Sequence, residues 1–417
     1  MSALRIVGAR TVLEGDVVET TVRVEGDRIA SVGGDEGGDG GGRAAAELDA
    51  RGLLLAPAMI DVHGDAFERQ LMPRPDVDFP LDAALLEVDR QLAGNGIATA
   101  YHALTLSWEP GLRSVERGAA VIDALGALRP RFGTDQRVQL RWETFASEAL
   151  GLVERALGST PRPSLAFNDH TSMVMRPVDQ PVQARGFEQD PGYELARDVD
   201  DPAFLARLAG PARRAGLDAR GYADRLADVW TRRPEVPDRI AALAARAGAH
   251  GVPMLSHDDT TVAARDWYRS VGARIAEFPM HVSVARAARE AGDGVVFGAP
   301  NAARGGSHLG GSPSAADMVE AGLCDALASD YHYPAMLAAV RRLVEERRAS
   351  LPAAWALVSS GPARLTGLDD RGAIAPGRRA DLVLVDWPGG GAPAVVATLA
   401  GGRFVHRSLG CPRGADA

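Results

Sequence analysis

Apolar and polar positions take turns through residues 4–7, 21–24 and 28–32, the period of half-buried β-strands. A glycine- and acid-rich stretch from Gly33 to Arg43 follows and predicts a surface loop. Strand-like patterning returns near the other end, at 380–386, 394–398 and 402–406. Neither end could bury a strand face by itself. The two are therefore expected to pair into one small β-sandwich domain, residues 1–56 with 366–417.

Between them the pattern changes. Largely apolar runs at 54–62, 97–104, 138–143, 164–169, 252–257, 273–278, 294–299 and 325–329 read as strands buried on both faces. Helical stretches lie between most of them, such as 81–94, 203–209, 238–249 and 314–321. Repeating strand–helix units over about 250 to 300 residues predict an α/β fold, a (β/α)8 TIM-type barrel across 57–365. The charged, mostly helical stretch 171–251 reads as an insertion, and a strand hidden in it would shift the order of later strands. An open doubly wound sheet is the alternative fold. No Gly-x-Gly-x-x-Gly follows the first strand, so a dinucleotide site has no support.

Bulk properties narrow the function. No run of about 18 uninterrupted apolar residues appears, so no membrane span is expected. The start of the chain lacks the pattern of a secretory signal. Cys324 and Cys411 are the only cysteines, which predicts a reducing cytoplasm rather than a disulfide framework. A formal net charge of −9 argues against nucleic acid as a partner. An anionic substrate would need metal ions or clustered arginines, and a homodimer is the default assembly.

The candidate chemistry stands at the strand ends, where barrels of this type build their active sites. The first apolar run finishes in Asp61, His63 and Asp65, which strict alternation places on one side. Arg141 and Glu143 end another run, Asn168 to His170 the next, Ser256 to Asp259 the one after, and Asp330 closes the last. Charges at the ends of buried strands are costly unless they meet a metal or each other. Imidazole with carboxylate suits a borderline divalent ion. His63, His170 and His257 with Asp65 and Glu143 could hold one or two ions, zinc first, manganese or iron otherwise, with Glu143 as the bridge. Water on such an ion has a pKa of about 7, and Asp330 could orient it and move its proton.

Each residue also has a plainer reading. Asp258 or Asp259 could cap a helix starting at Thr260. Glu143 could be an exposed strand-end glutamate. His102, at the end of the second strand, is a further ligand, a substrate contact or a buried structural histidine. In Arg304-Gly305-Gly306-Ser307-His308, two glycines would let backbone N–H groups face an anion while Arg304 grips phosphate. The plain alternative there is a flexible loop. Arg74, held between Pro73 and Pro75, could bind phosphate likewise, whereas Arg69 reads as a solvated charge.

Taken together, these motifs resemble the metal-dependent amidohydrolase superfamily, and within it a phosphonate-metabolism branch. The general marks are the run from Ala56 to His63 and the tail from Gly372 to Val385. The branch marks are His63-Gly-Asp65, Pro73-Arg-Pro75, Asp169-His170-Thr171, Ser256 to Asp259, Gly298 to His308, and Ser329-Asp330-Tyr331. The resemblance implies a metal-bound water attacking a phosphoanhydride of a small phosphorylated ribose phosphonate, with pyrophosphate released. By motif match it makes His63, Asp65, His170 and His257 metal ligands, Glu143 the bridge and Asp330 the acid–base group. Three features depart from the branch pattern: His102, where Asp is usual, Trp142, where a small residue is expected, and the inserted run Gln189-Asp-Pro-Gly-Tyr193. Another metallohydrolase, acting on an amide, a cyclic amide or a ring amine, would keep the cluster and turn Arg304 toward a carboxylate. A scaffold without activity would be expected to have lost ligands, and the expected positions are all filled.

Overall fold

A computed structural model describes residues 3–33, 46–75, 77–185 and 200–408. Most of the glycine-rich stretch, the segment from Gln189 to Tyr193 and Cys411 lie outside the described residues. The chain begins with β1 (Ala3–Val12), β2 (Val17–Glu25), β3 (Arg28–Val32), β4 (Ala46–Asp49) and β5 (Leu54–Pro57). β1 pairs antiparallel with β2 and parallel with β4 and β5.

Eight parallel strands follow in sequence order: β6 (Met59–Gly64), β7 (Ile97–Leu106), β8 (Asp135–Glu143), β9 (Ser164–Asn168), β10 (Met254–His257), β11 (Ile275–Glu277), β12 (Gly294–Gly298) and β13 (Ala326–Ala328). The last meets the first. Gly64 bridges Asp330, the Asp330 amide donates to the His63 carbonyl at 2.9 Å, and the Asp65 amide donates to the Asp330 carbonyl at 2.9 Å. The chain then returns through β14 (Leu382–Asp386), β15 (Ala394–Ala400) and β16 (Arg403–Arg407), and β14 pairs antiparallel with β5. Strands from both ends thus share one sheet and one core, with Ile6, Val24, Leu48, Leu55, Leu382 and Leu384 buried together. The barrel and the terminal sandwich are those expected from the patterning.

One expected strand is two. The run 54–62 looks continuous, but β5 belongs to the terminal sheet and β6 to the barrel. The exchange takes one residue: the Ala58 amide donates to Asp381 at 2.9 Å and the Met59 amide to Gly96 at 2.8 Å. The insertion holds no strand among the described residues. It forms helices Pro202–Arg214, Ala219–Trp230 and Val236–Ala249, which bury Phe204, Leu208, Tyr222 and Leu226 against the outer layer. No helix among the described residues is long and apolar enough to cross a membrane.

Strand parity decides what faces the barrel interior. Leu140, Trp142, Leu165, Phe167 and Phe297 pack outward under the helices, while Ala166, Leu255, Ile275 and Val296 fill the inside. Gln139, Arg141 and Glu143 therefore share the inner face of β8. His102 shares the outer face of β7 with Ala100 and Leu104, which settles its three readings. Its ring lies 5.2 Å from Phe67 and its Nε2 is 2.9 Å from Gln136 Oε1. Burial pushes its pKa down to about 4, and it is a neutral structural histidine.

The seam between β6 and β13 is tight. The Asp61 carboxylate accepts from the Ser329 amide at 2.9 Å and its hydroxyl at 2.5 Å. A Cβ on Gly64 would lie 2.5 Å from Asp61 Oδ2 and 3.0 Å from Ser329 Oγ. Gly64→Ala is expected to lose about 1 to 3 kcal/mol through overpacking, seen as a lower denaturant midpoint. An unchanged midpoint would mean the seam tolerates the methyl group.

Candidate active site

Asp61, His63 and Asp65 do not point the same way. The β6–β7 register breaks between Asp61 and Gly64. Asp61 turns to Ser329, Val62 joins the interior core, and His63 enters the mouth of the barrel. There it meets a residue given no role from sequence. His63 Nδ1 lies 3.1 Å from Glu277 Oε1, and both side chains are fully buried. The approach lacks hydrogen-bond alignment, and neither ring nitrogen of His63 has a hydrogen-bond partner.

Glu277 ends β11, in step with inward-facing Ile275. Gln139 Nε2 donates to its Oε1 at 2.9 Å. Its Oε2 is buried without a hydrogen-bond partner, 3.8 Å from His257 Nε2. Burial alone would push this carboxyl's pKa up, but His63 and His257 bring it below the usual value. Burial likewise opposes charge on His63, yet Glu277 holds its pKa above the ordinary value.

Two groups of side chains bring ligand atoms within 4.8 Å of one another: His63, His257 and Glu277, and His63, Asp65 and Asp330. Orphaned imidazole nitrogens and an orphaned carboxylate oxygen, buried together, fit a divalent cation. Burial and the nearby Asp65 charge push Asp330 up to about 7. Asp258, Phe278 and Asp330 all take left-handed backbone angles, with φ of 60°, 54° and 55°. Such conformations cost about 1 to 3 kcal/mol each and cluster at functional sites.

Glu143 and His170 stand apart from both groups. Glu143 Oε1 accepts from the Thr171 amide at 3.0 Å and hydroxyl at 2.9 Å. Its Oε2 accepts from Asn168 Nδ2 at 2.9 Å and the His170 amide at 3.1 Å. It is neither exposed nor open: it sits on the first turn of helix His170–Met175, among unpaired N–H groups that attract an anion. His170 Nδ1 lies 2.9 Å from Asn168 Nδ2. Burial, with Arg141 nearby, holds its imidazole well below the ordinary pKa. Asp259 binds Ser256 at 2.5 Å, and the following helix, Val262–Ser270, is capped by Thr261 rather than by either aspartate.

The cluster opens into a cavity of about 350 Å³ lined by Asp65, Arg113, Arg141, His257, Asp330 and Arg304, among others. Arg113 is tied to Glu68 by bonds of 3.0 and 2.9 Å. Arg304 is exposed at the rim, with Ser307 and His308 also on the lining, and His308 stands edge-on to Tyr331 at 5.9 Å. The glycine cradle takes another form. The Gly305 and Gly306 amides both donate to the Asn301 carbonyl, at 3.1 and 2.9 Å, ending helix Ala299–Arg304. Those donors are used by the helix, not aimed at an anion. Arg74 is exposed, paired with Val77 and not part of the lining. Arg69 is exposed, as a solvated charge would be, and also donates to the Tyr331 carbonyl.

A family model described as "Amidohydrolase family" matches residues 172–406. The α-D-ribose 1-methylphosphonate 5-triphosphate diphosphatase of Escherichia coli (strain K12) is 30% identical over 380 residues, 90% of this chain and 93% of that protein. An adenine deaminase of Methylobacterium sp. (strain 4-46) is 28% identical over 401 residues, 96% of this chain and 57% of the deaminase. The crystal structure of dihydropyrimidinase from Brevibacillus agri NCHU1002 shares the fold, with a TM-score of 0.61 at 15% identity over 97% of this chain and 95% of that one.

Two glutamates can now be told apart by experiment. Glu277→Gln is expected to weaken divalent-ion binding by about 10-fold or more, measured by competition with a chelator. Glu143→Gln should leave that affinity nearly unchanged. Equal losses would contradict the separation of the two residues.

Proposed function

This chain belongs to the amidohydrolase family, and we propose that it cleaves the triphosphate of α-D-ribose 1-methylphosphonate 5-triphosphate to the 5-phosphate and pyrophosphate. The observation that carries this reading is the buried histidine–carboxylate cluster opening onto an arginine-lined cavity. The relative from Escherichia coli, similar over nearly its whole length, supplies the substrate class. A polyphosphate needs cations around it, and an acidic chain must concentrate them locally.

His63, Asp65, Glu277 and Asp330 are the residues that would hold a divalent ion, zinc in our reading, with His257 beside them but engaged by Arg141. Such an ion supplies Lewis acidity and water acidified toward a pKa of about 7. Arg141, inside the cavity, and Arg304, at its rim, orient the phosphates. Arg304 has no hydrogen-bond or ion-pair partner among the described residues and can form two bonds to one phosphate. Asp330 takes the proton of the attacking water and passes it toward the leaving oxygen. The water oxygen joins phosphorus as the bridging P–O bond breaks, and the bridging oxygen leaves with pyrophosphate. We place this activity in the cytoplasm, with a small phosphorylated ribose phosphonate as the partner.

A second reading, hydrolysis of a C–N bond, is favoured by the similarity to an adenine deaminase. It keeps the cluster and changes what Arg304 faces.

Zinc- or manganese-loaded protein, given the ribose 5-triphosphate methylphosphonate, is expected to release pyrophosphate. Asp330→Asn should still fold and lose about 10²- to 10⁴-fold in kcat. Release of orthophosphate alone, or turnover only of amides or ring amines, would overturn the proposal.

A further inference from the structure

We propose that the Arg141 guanidinium takes the place of a second metal ion, so that the barrel mouth binds one divalent ion and not two. The inference rests on the reading that the cluster holds an ion at all, and goes beyond it to the number.

Arg141 comes from the inner face of β8 and is 5% exposed. A buried guanidinium normally pairs with carboxylates. This one is surrounded differently. Its Nη2 lies 3.0 Å from His257 Nε2 and 3.5 Å from His170 Nε2, and its Nη1 is 3.6 Å from Asp65 Oδ2. Two imidazole nitrogens and a carboxylate are the atoms that would otherwise surround a cation. With Arg141 donating to Nε2, His257 carries its own proton on Nδ1, which faces Asp258 Oδ2 at 3.1 Å. The Nε2 lone pair is then spent on Arg141.

The arginine is held there by its neighbours. Its Nε donates to Asn168 Oδ1 at 3.1 Å, and Asn168 Nδ2 donates to Glu143 Oε2 at 2.9 Å. Glu143 is in turn fixed by the helix N–H groups of His170 and Thr171. The carboxylate that could have bridged two ions instead anchors, through Asn168, the fixed cation that replaces one of them. A guanidinium also brings a single charge and no exchangeable ligand, which leaves the water-activating role to one ion bound by His63 and the carboxylates near it.

The test counts metal. Wild-type chain is saturated with Mn(II), freed of loose ion by gel filtration and assayed by mass spectrometry and electron paramagnetic resonance. One equivalent per chain with the spectrum of an isolated ion is expected. Arg141→Met should rise toward two equivalents, because His170, His257 and Asp65 are then released, while Arg141→Lys should stay at one. Two equivalents in the wild type, or a spectrum of two coupled ions, would overturn this inference alone. Arg141→Met remaining at one would overturn it too. No tight binding in the wild type would instead remove the metal reading beneath it. The wild-type measurements decide the matter even if Arg141→Met fails to fold.

Discussion

His63 and Glu277 reach each other from different staves of the barrel and stop 3.1 Å apart, with neither side chain touching solvent. A carboxylate and an imidazole placed there lose their hydration, and an apolar interior gives nothing back. The surroundings show how the loss is limited. Gln139 donates one bond to Glu277, Arg141 donates to His257, and Asp65 and Asp330 come close to His63 as a second group. The remaining unsatisfied atoms are those a cation would satisfy. That constraint explains why the cavity lies where it does.

The rest of the fold serves to keep these ends in register. β6 is fixed twice, by the terminal sheet through the exchange at Ala58 and by β13 through the seam at Gly64 and Asp61. The seam also delivers Asp330, whose backbone bridges β6 while its side chain turns to the cluster. A shift of β6 would therefore displace His63, Asp65 and Asp330 together. The left-handed angles of Asp258, Phe278 and Asp330 are strain that only such an over-determined frame can hold.

Much of the architecture was legible in the patterning. All eight barrel strands overlap the runs read as strands, most of them because a strand buried on both faces is largely apolar; β8 is the exception, carrying Gln139, Arg141 and Glu143 inward. The division of the first run into β5 and β6 was not, since both pieces are apolar and β5 finds its partner in β14, far along the chain. At the site, the strand-end positions of His63, His257 and Asp330 followed from the pattern. Glu277 was missed because its strand, Ile275–Glu277, is short and shows a single charge at its end. Its inward parity with Ile275 was the available signal. The surroundings of Glu143 could not be read, because the helix N-terminus that engages it is a contact made in three dimensions. The Arg-Gly-Gly-Ser run misled for a local reason: glycine frees the backbone to aim at an anion and equally to end a helix.

Anomalous diffraction from crystals of the zinc-loaded protein would show directly whether His63 and its neighbouring carboxylates hold the ion. A zinc peak is expected about 2.0 to 2.2 Å from a His63 nitrogen, with carboxylate oxygens from Asp65, Asp330 or Glu277 completing its shell. A peak held by Glu143 and His170 instead, or none at the barrel mouth, would contradict that assignment.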